Sequence, residues 1–227
     1  MEQLHNGFTL ELSDGAFPLS TDSVVLADFV RLPKNAAVLD LGSGCGTLGL
    51  MLCAKDPGCT VTGIEWDSAA HEMALHNAQV NKISHRLKSI CADLRTIHLA
   101  PGSFSCCVSN PPYFSSGPES KTTPLARREI LCSLEDLVSI AAKALKFGGD
   151  FFLVHRPERL AELCAMAGKY HLEPKRLLLL RHKVDGPVNL IFLQCRKGAK
   201  PGLIWEEQCL FQQDGTPTHY YKTLYHL

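Results

Sequence analysis

The 227-residue sequence predicts an α/β fold built on a mostly parallel sheet of seven strands, with an antiparallel hairpin at one edge. Three observations support this prediction. Short apolar runs alternate with segments of helical spacing, which is typical of β–α–β units. A glycine-rich turn directly follows the first long apolar run. Two late apolar runs flank a short reversal, which indicates the hairpin.

The individual elements follow from the same patterns. The predicted core strands are the apolar runs Ala37–Leu41, Cys59–Ile64, Leu87–Ala92, Phe104–Ser109 and Asp150–His155. The predicted helices are Gly46–Ala54, Ser68–Asn81 and Leu134–Phe147, the last followed by Gly148-Gly149 as its cap and turn. The predicted hairpin pairs Glu173–Leu180 with Val188–Cys195. We interpret residues 1–227 as one domain: an N-terminal hairpin and helix (1–36), a core (37–195) and a C-terminal extension (196–227).

Composition excludes several classes of protein. The first residues carry no basic cap followed by an apolar run, and no apolar stretch reaches the roughly 18 residues of a membrane span. The ten cysteines form no CxxC pair, which in a chain of this length favours buried, reduced thiols. We therefore expect a cytoplasmic protein with no membrane partner and no bound metal. The sequence leaves the oligomeric state open.

Charge is unevenly distributed although the net charge is zero. Residues 1–120 hold 7 Lys and Arg against 12 Asp and Glu, a net of −5. Residues 121–200 hold 15 against 8, a net of +7. Such asymmetry is compatible with solvated helix faces and equally with an anionic partner.

The segment Val38–Gly46 (VLDLGSGCG) predicts a ligand site. A buried strand runs into a glycine-rich turn and then a helix, so that backbone amides lie close to a ligand. The glycines Gly42, Gly44 and Gly46 follow Asp40 with G-x-G-x-G spacing, not the wider G-x-G-x-x-G of a pyrophosphate binder. This spacing favours a ligand with a cationic amino-acid end, such as S-adenosylmethionine.

Acidic residues end the next two predicted strands. Glu65 is placed to accept the ribose hydroxyls of an adenosine, and Asp93 to accept its adenine amine. Three acids at successive strand ends, after that glycine turn, resemble the Rossmann-like class I methyltransferases that use S-adenosylmethionine. The resemblance covers about residues 20–155.

The fourth strand is followed by Asn110-Pro111-Pro112-Tyr113, the most specific motif in the chain. A conjugated amine is a poor nucleophile, and it must become tetrahedral to attack a methyl group. The Asn110 side-chain oxygen and the Pro111 carbonyl are two acceptors that would stabilise that state. Pro112 stiffens the backbone, and Tyr113 is expected to stack on a planar substrate. We expect His155 to pack in the cleft wall and not to act as a base.

The motif alone fits adenine N6, cytosine N4, guanine N2 and a glutamine amide. Nearly the whole chain, however, resembles the bacterial tRNA(Val) adenine-N6 methyltransferase family, through Asp14–Pro33, the glycine turn, SNPPYF, Ala126–Glu129 and Gly148-Gly149. The resemblance implies that Thr21, Asp22 and Asn110 join the cofactor site and that the substrate is an adenine in tRNA. Many family members carry His where this chain has Arg128. The loop after the motif and the end of the fifth strand are expected at the same edge of the sheet as the cofactor. We therefore predict that the substrate is bound by Tyr113, Phe114, Lys121, Arg127, Arg128, Arg156 and Arg159. Several of these lie in the polar segment Ser115–Arg128, which we interpret as a mobile loop.

Three alternatives remain open. A release-factor glutamine methyltransferase uses the same motif, but it carries a helical domain ahead of the glycine turn, where this sequence has 37 residues before Val38. An rRNA base amine is the second. A non-catalytic RNA-binding protein on the same fold is the third, and such a protein would be expected to have lost an acceptor or a cofactor acid.

Overall fold

The structure is a computed structural model that describes residues 2–4, 7–12, 19–111 and 132–225. The strands are β1 (Glu2–Gln3), β2 (Thr9–Leu10), β3 (Ala37–Leu41), β4 (Thr60–Glu65), β5 (Leu87–Cys91), β6 (Phe104–Ser109), β7 (Leu145–His155), β8 (Leu172–Lys183), β9 (Val188–Lys197) and β10 (Ile204–Phe211). The α-helices are α1 (Thr21–Phe29), α2 (Thr47–Lys55), α3 (Ser68–Val80), α4 (Leu134–Ala144), α5 (Leu160–Lys169) and α6 (His219–Tyr225).

The main sheet has the strand order β10-β8-β9-β7-β6-β3-β4-β5. Every strand in it is parallel to its fellows except β9, which pairs antiparallel with both β7 and β8. The chain moves outward from β3 to β5 and then returns to β6 on the other side of β3. This reversal leaves a crevice at the carboxyl ends of β3 and β6, the usual ligand site of open α/β sheets.

Two apolar clusters cover the two faces of the sheet. One cluster packs α1, α2 and α6 against β3, β7 and β9, with Phe152 and Phe192 among its fully buried members. The other packs α4 and α5 against the opposite face, around Phe151 and Leu193. The α/β class, the mostly parallel sheet and the antiparallel hairpin of β8 and β9 are therefore confirmed.

Two sequence predictions need correction. The sheet has eight strands in the described ranges, because β10 extends it beyond the hairpin by pairing parallel with β8. The helix predicted over Leu134–Phe147 ends at Ala144, and β7 begins at once, with Leu145 paired to Phe104. Gly148 and Gly149 thus lie inside β7 and not at a helix cap. Gly148 has a φ of 76° where the register with β6 shifts, a conformation that favours glycine.

Two general expectations can be compared with the described residues. Among the helices in the described ranges, none has the length and apolar character needed to cross a bilayer. All ten cysteines lie in these ranges as free thiols, and Cys45, Cys53, Cys59, Cys106, Cys107 and Cys195 are buried. Cys91 is exposed at the end of β5, so burial does not extend to every cysteine.

Candidate active site

The glycine turn joins β3 to α2 in a left-handed backbone. Gly42, Gly44 and Gly46 have φ angles of 76°, 54° and 81°, a region that L side chains rarely adopt. A Cβ added at Gly42 or Gly44 would meet no atom within 4 Å among the described residues. The turn therefore presents bare backbone to open space, while Gly46 faces Ala74 of α3.

Side chains from two neighbouring elements hold this turn in place. Glu65, only 8% exposed at the end of β4, accepts a hydrogen bond from Gly44 N to Oε2 at 2.8 Å. Its Oε1 accepts from Asp67 N at 2.9 Å. From α3, Asn77 Nδ2 donates to the Cys45 carbonyl at 2.9 Å. Glu65 thus shapes the turn directly, in addition to the role that the sequence predicts for it.

Asp40 gives the turn a buried carboxyl group with a raised pKa. Its side chain is 2% exposed, and its Oδ2 has no hydrogen-bond partner among the described residues. Burial, and after it the negative charge of Glu65, raises the pKa of the Asp40 carboxyl from 3.8 to about 7. Ser43 Oγ, in the same turn, is also buried without a partner in the described ranges. Buried polar atoms are normally paired, so we expect a ligand to supply the missing partner of Asp40 Oδ2, whereas Ser43 Oγ lies against Gly63 of β4.

These features fit S-adenosylmethionine. Its amino-acid end carries a positive charge and N–H donors, which Asp40 Oδ2 is able to accept. A cation next to Asp40 would also stabilise the ionised carboxylate that burial disfavours. Glu65 has lone pairs left for the ribose hydroxyls after accepting two backbone amides.

Asp93 follows β5, the neighbour of β4, and it is bound to Arg95. Arg95 Nε and Nη2 donate to the two carboxylate oxygens at 3.1 and 2.5 Å. These hydrogen bonds lower the pKa of Asp93, so its carboxylate stays charged. A contact of Asp93 with an adenine amine therefore remains a prediction, and it would have to be shared with Arg95.

Asn110 and Pro111 stand directly after β6, beside the end of β3. Ser109, fully buried, donates from Oγ to the Leu41 carbonyl at 2.8 Å and so fixes this strand end to the glycine turn. Asn110 Nδ2 donates to Ser23 Oγ of α1 at 2.9 Å. The first turn of α1, with Thr21 and Asp22, thereby lies next to Asn110.

The basic side chains predicted to bind substrate divide into two groups. Arg156 and Arg159 follow β7, where Arg156 Nη1 donates to the Asn189 carbonyl and Arg159 forms an ion pair with Glu162. The other predicted residues of the motif and its loop lie outside the described residues: Pro112, Tyr113, Phe114, Lys121, Arg127 and Arg128, together with the segment Ser115–Arg128.

His155 ends β7 and is 5% exposed. Burial, followed by the positive charge of Arg159, lowers its pKa to about 4. Its Nδ1 accepts from Arg156 N at 2.8 Å, which places the ring proton on Nε2. His155 is therefore a neutral wall residue and a weak base at neutral pH.

Comparison with known proteins agrees with this geometry. Residues 19–166 match the family model of the methyltransferase small domain. The chain is 32% identical to a tRNA1(Val) (adenine(37)-N6)-methyltransferase of Porphyromonas gingivalis, over 77% of this chain and 72% of the relative. It is 27% identical to a protein of the same name from a Flavobacteriaceae bacterium, over 76% of this chain and 80% of the relative.

Solved structures show the same fold. A crystal structure described as a predicted O-methyltransferase from Agrobacterium tumefaciens superposes with a TM-score of 0.73 at 20% identity, over 90% of this chain and 95% of that one. Geranyl diphosphate C-methyltransferase from Streptomyces coelicolor superposes with a TM-score of 0.59 at 13% identity, over 77% of this chain and 76% of that one.

Fold and site together define a class I methyltransferase that depends on S-adenosylmethionine. The chain belongs to the methyltransferase small-domain family, and within it to the tRNA1(Val) (adenine(37)-N6)-methyltransferases.

Proposed function

We propose that this chain methylates the exocyclic N6 amine of an adenine in RNA, specifically adenine 37 of tRNA1(Val). The carrying observation is the position of Asn110 and Pro111 at the end of β6, beside the glycine turn, with the Asn110 amide nitrogen held by Ser23. The names of the relatives supply the particular RNA and nucleotide.

The reaction needs acceptors more than it needs a base. When bound, S-adenosylmethionine supplies an electrophilic methyl group on its sulfonium. The adenine amine loses conjugation with its ring as it attacks, and its two N–H groups turn toward tetrahedral directions. Asn110 Oδ1 and the Pro111 carbonyl accept these N–H groups more strongly in that state than in the planar ground state.

Proton removal requires no side chain of unusual basicity. The methylated ammonium is acidic, so its proton passes to solvent. His155 is not needed for this step, and its lowered pKa and buried Nδ1 contact agree with that.

RNA binding is supported by charge at the same edge of the sheet. Arg156 is exposed at the end of β7, the neighbour of the strand that carries Asn110. The block of residues 121–200 has a net charge of +7, of which Lys146 and Lys197 lie at the opposite end of β7 and do not contribute at this edge. Phosphate contacts from the basic residues at this edge would offset the cost of taking one adenine out of its stack.

Parallel methyl transfer to several acceptors tests the proposal. Tritiated S-adenosylmethionine is incubated with the purified chain and unmodified tRNA1(Val), rRNA or release factor. We expect label in tRNA alone. Label in rRNA or in the release-factor glutamine would assign a different amine, and a chain that binds no cofactor would be a non-catalytic RNA-binding protein.

A further inference from the structure

One contact of the candidate site joins residues 87 positions apart in the sequence. Asn110 Nδ2 donates to Ser23 Oγ at 2.9 Å, and Ser23 is only 9% exposed on α1. Asn110 itself is half-buried, so the contact is partly shielded from water, and a single hydrogen bond there has more influence on side-chain orientation than it has at an exposed surface.

The orientation of this amide decides what it offers a substrate. A planar amide presents its oxygen on one branch and its two N–H donors on the other. With Nδ2 toward Ser23, Oδ1 points away from Ser23. If the amide were flipped, its NH₂ group would point away from Ser23 in place of Oδ1. Two donors, this NH₂ group and the substrate amine, would then face each other.

The position of Ser20 favours Ser23 as the acceptor of the hydrogen bond from Asn110. A serine hydroxyl donates one proton and accepts through two lone pairs. Ser20 Oγ lies 3.4 Å from Ser23 Oγ and also accepts from Ser23 N as the cap of α1. The Ser23 hydroxyl is thus able to donate its own proton to Ser20 Oγ while it accepts from Asn110.

The helix that carries Ser23 is fixed at both ends. At its first turn, Tyr225 Oη of α6 donates to Thr21 Oγ1 at 3.3 Å. At its last turn, Lys55 Nζ donates to the carbonyls of Ala27, Asp28 and Val30 at 2.8–2.9 Å. A hydrogen bond from such a platform holds its partner more precisely than one from a loop.

We propose that Ser23 is a positioning residue that fixes the amide orientation of Asn110, so that Oδ1 serves as the acceptor for the substrate amine. The proposal rests on the proposed function for the acceptor role of Asn110. It adds a requirement on α1 that the sequence motif does not contain.

Two substitutions at one position test it kinetically. Ser23→Ala removes the acceptor, and we expect kcat to fall on the order of 10- to 100-fold, because a misplaced group loses much of its catalytic effect. The KM for tRNA and the Kd for cofactor should stay unchanged. Ser23→Thr keeps a hydroxyl and should restore most of kcat.

A matched control separates positioning from general loss of a buried hydroxyl. Ser105, also buried, bridges Ala37 N and O at the other end of β3 and β6. Ser105→Ala should leave kcat within about twofold of wild type. An equal loss of kcat in both alanine variants, or unchanged kcat in Ser23→Ala, would overturn the proposal.

A measurement that needs no substrate tests the positioning role of Ser23 separately from the proposed methylation of tRNA. In the wild-type protein, the side-chain NH₂ signal of Asn110 in ¹⁵N–¹H NMR should exchange slowly with water, and this protection should vanish in Ser23→Ala. Unprotected Asn110 amide protons in the wild type would overturn the positioning role. Failure of the wild-type protein to methylate tRNA would overturn the proposed function. The NMR result would still test the hydrogen bond between Asn110 and Ser23, because it does not depend on the substrate.

Discussion

Asp40 is the residue on which the electrostatics of the glycine turn depend. Its burial and the neighbouring Glu65 carboxylate both disfavour the ionised form, which raises its pKa to about 7. The folded chain thus binds a proton at Asp40 that the unfolded chain has released by pH 5. A cationic ligand would reverse this preference by stabilising the carboxylate.

The contribution of Asp40 to stability should therefore fall as pH rises, whereas His155, whose folded pKa is lowered to about 4, contributes a rise in stability between about pH 4 and 6.5. Because the folded pKa of Asp40 lies above the unfolded value of 3.8, ionisation costs stability from about pH 4, and the cost is complete above about pH 7. Its size is about 4 kcal/mol at most, because the folded pKa is about 7 against 3.8 in the unfolded chain. Urea denaturation of the cofactor-free protein between pH 5 and 8 measures it.

Two variants give the comparison. Asp40→Asn should remove the Asp40 contribution, because the amide does not titrate, so the free energy of unfolding of this variant should rise more with pH than that of wild type. Asp185→Asn, an exposed position in the turn between β8 and β9, should leave the pH dependence as in wild type. A free energy of unfolding that changes with pH in the same way in wild type and in Asp40→Asn would be inconsistent with a buried, protonated Asp40.

The sequence predicts Asn110 as an acceptor for the substrate amine, but it does not predict the hydrogen bond between Asn110 and Ser23. The motif places Asn110 by local pattern, since a strand followed by Asn-Pro-Pro-Tyr is visible in consecutive residues. Ser23 carries no such signal, because the contact joins positions 87 apart. The Asp93–Arg95 pair is local, yet nothing in the residue types says that the arginine turns back onto the carboxylate.

At the scale of elements, the sequence predicts the strands that are buried on both faces, but it does not predict the edge strand β10. The run Phe104–Ser109 is a strand with the predicted bounds, because a fully buried strand is a continuous apolar run. Strand β10 begins with the exposed Ile204 and Trp205 and continues with two glutamates. An exposed edge strand has no apolar run or alternation, so its sequence does not predict it.

The end of α4 shows a different limit. Periodicity continues past Ala144, yet Leu145 already pairs with Phe104 in the sheet. Tertiary pairing thus overrides local helix propensity there. Of the two glycines that suggested a helix cap, Gly148 has a positive φ within a strand, whereas a Cβ at Gly149 would lie 3.0 Å from the Lys146 and Ser105 carbonyl oxygens.

We expect the turn between β3 and α2 to bind the cofactor, and Glu65 holds this turn through its hydrogen bond from Gly44 N. Glu65→Ala should weaken S-adenosylmethionine binding by about 1–3 kcal/mol, because the ribose hydroxyls and Gly44 N lose a charged acceptor. Isothermal calorimetry gives the affinity directly.

The control for this prediction is Glu72→Ala on α3, where the side chain is 75% exposed. Its cofactor affinity should match wild type. Glu65→Gln should fall between the two, because one carbonyl oxygen remains. Equal cofactor affinity in wild type and Glu65→Ala would remove Glu65 from the cofactor site.

At the scale of the whole molecule, the uneven charge predicts that cofactor binding and RNA binding can be separated by mutation. The first 120 residues carry the cofactor acids and a net charge of −5, whereas residues 121–200 carry +7. Binding to tRNA should weaken steeply with salt, because each phosphate contact releases counterions. Reversing Arg127 and Arg128 to Glu should lower tRNA affinity and reduce the salt slope while sparing cofactor affinity.

Filter binding at several salt concentrations, beside calorimetry with cofactor, checks both halves of this prediction. The exposed Lys34, which precedes β3, provides a comparison through Lys34→Glu. This variant should change tRNA affinity little. Salt-insensitive tRNA binding, or no effect of the double reversal, would argue for a protein glutamine substrate.

The most direct test of the central claim is nucleoside mass spectrometry of a tRNA1(Val) transcript incubated with the chain and S-adenosylmethionine. We predict N6-methyladenosine with wild type, none in a transcript with guanosine at position 37, and on the order of a hundredfold less with a folded Asn110→Ala variant that still binds cofactor. Methylation that persists without adenine 37, or wild-type turnover by Asn110→Ala, would contradict the account.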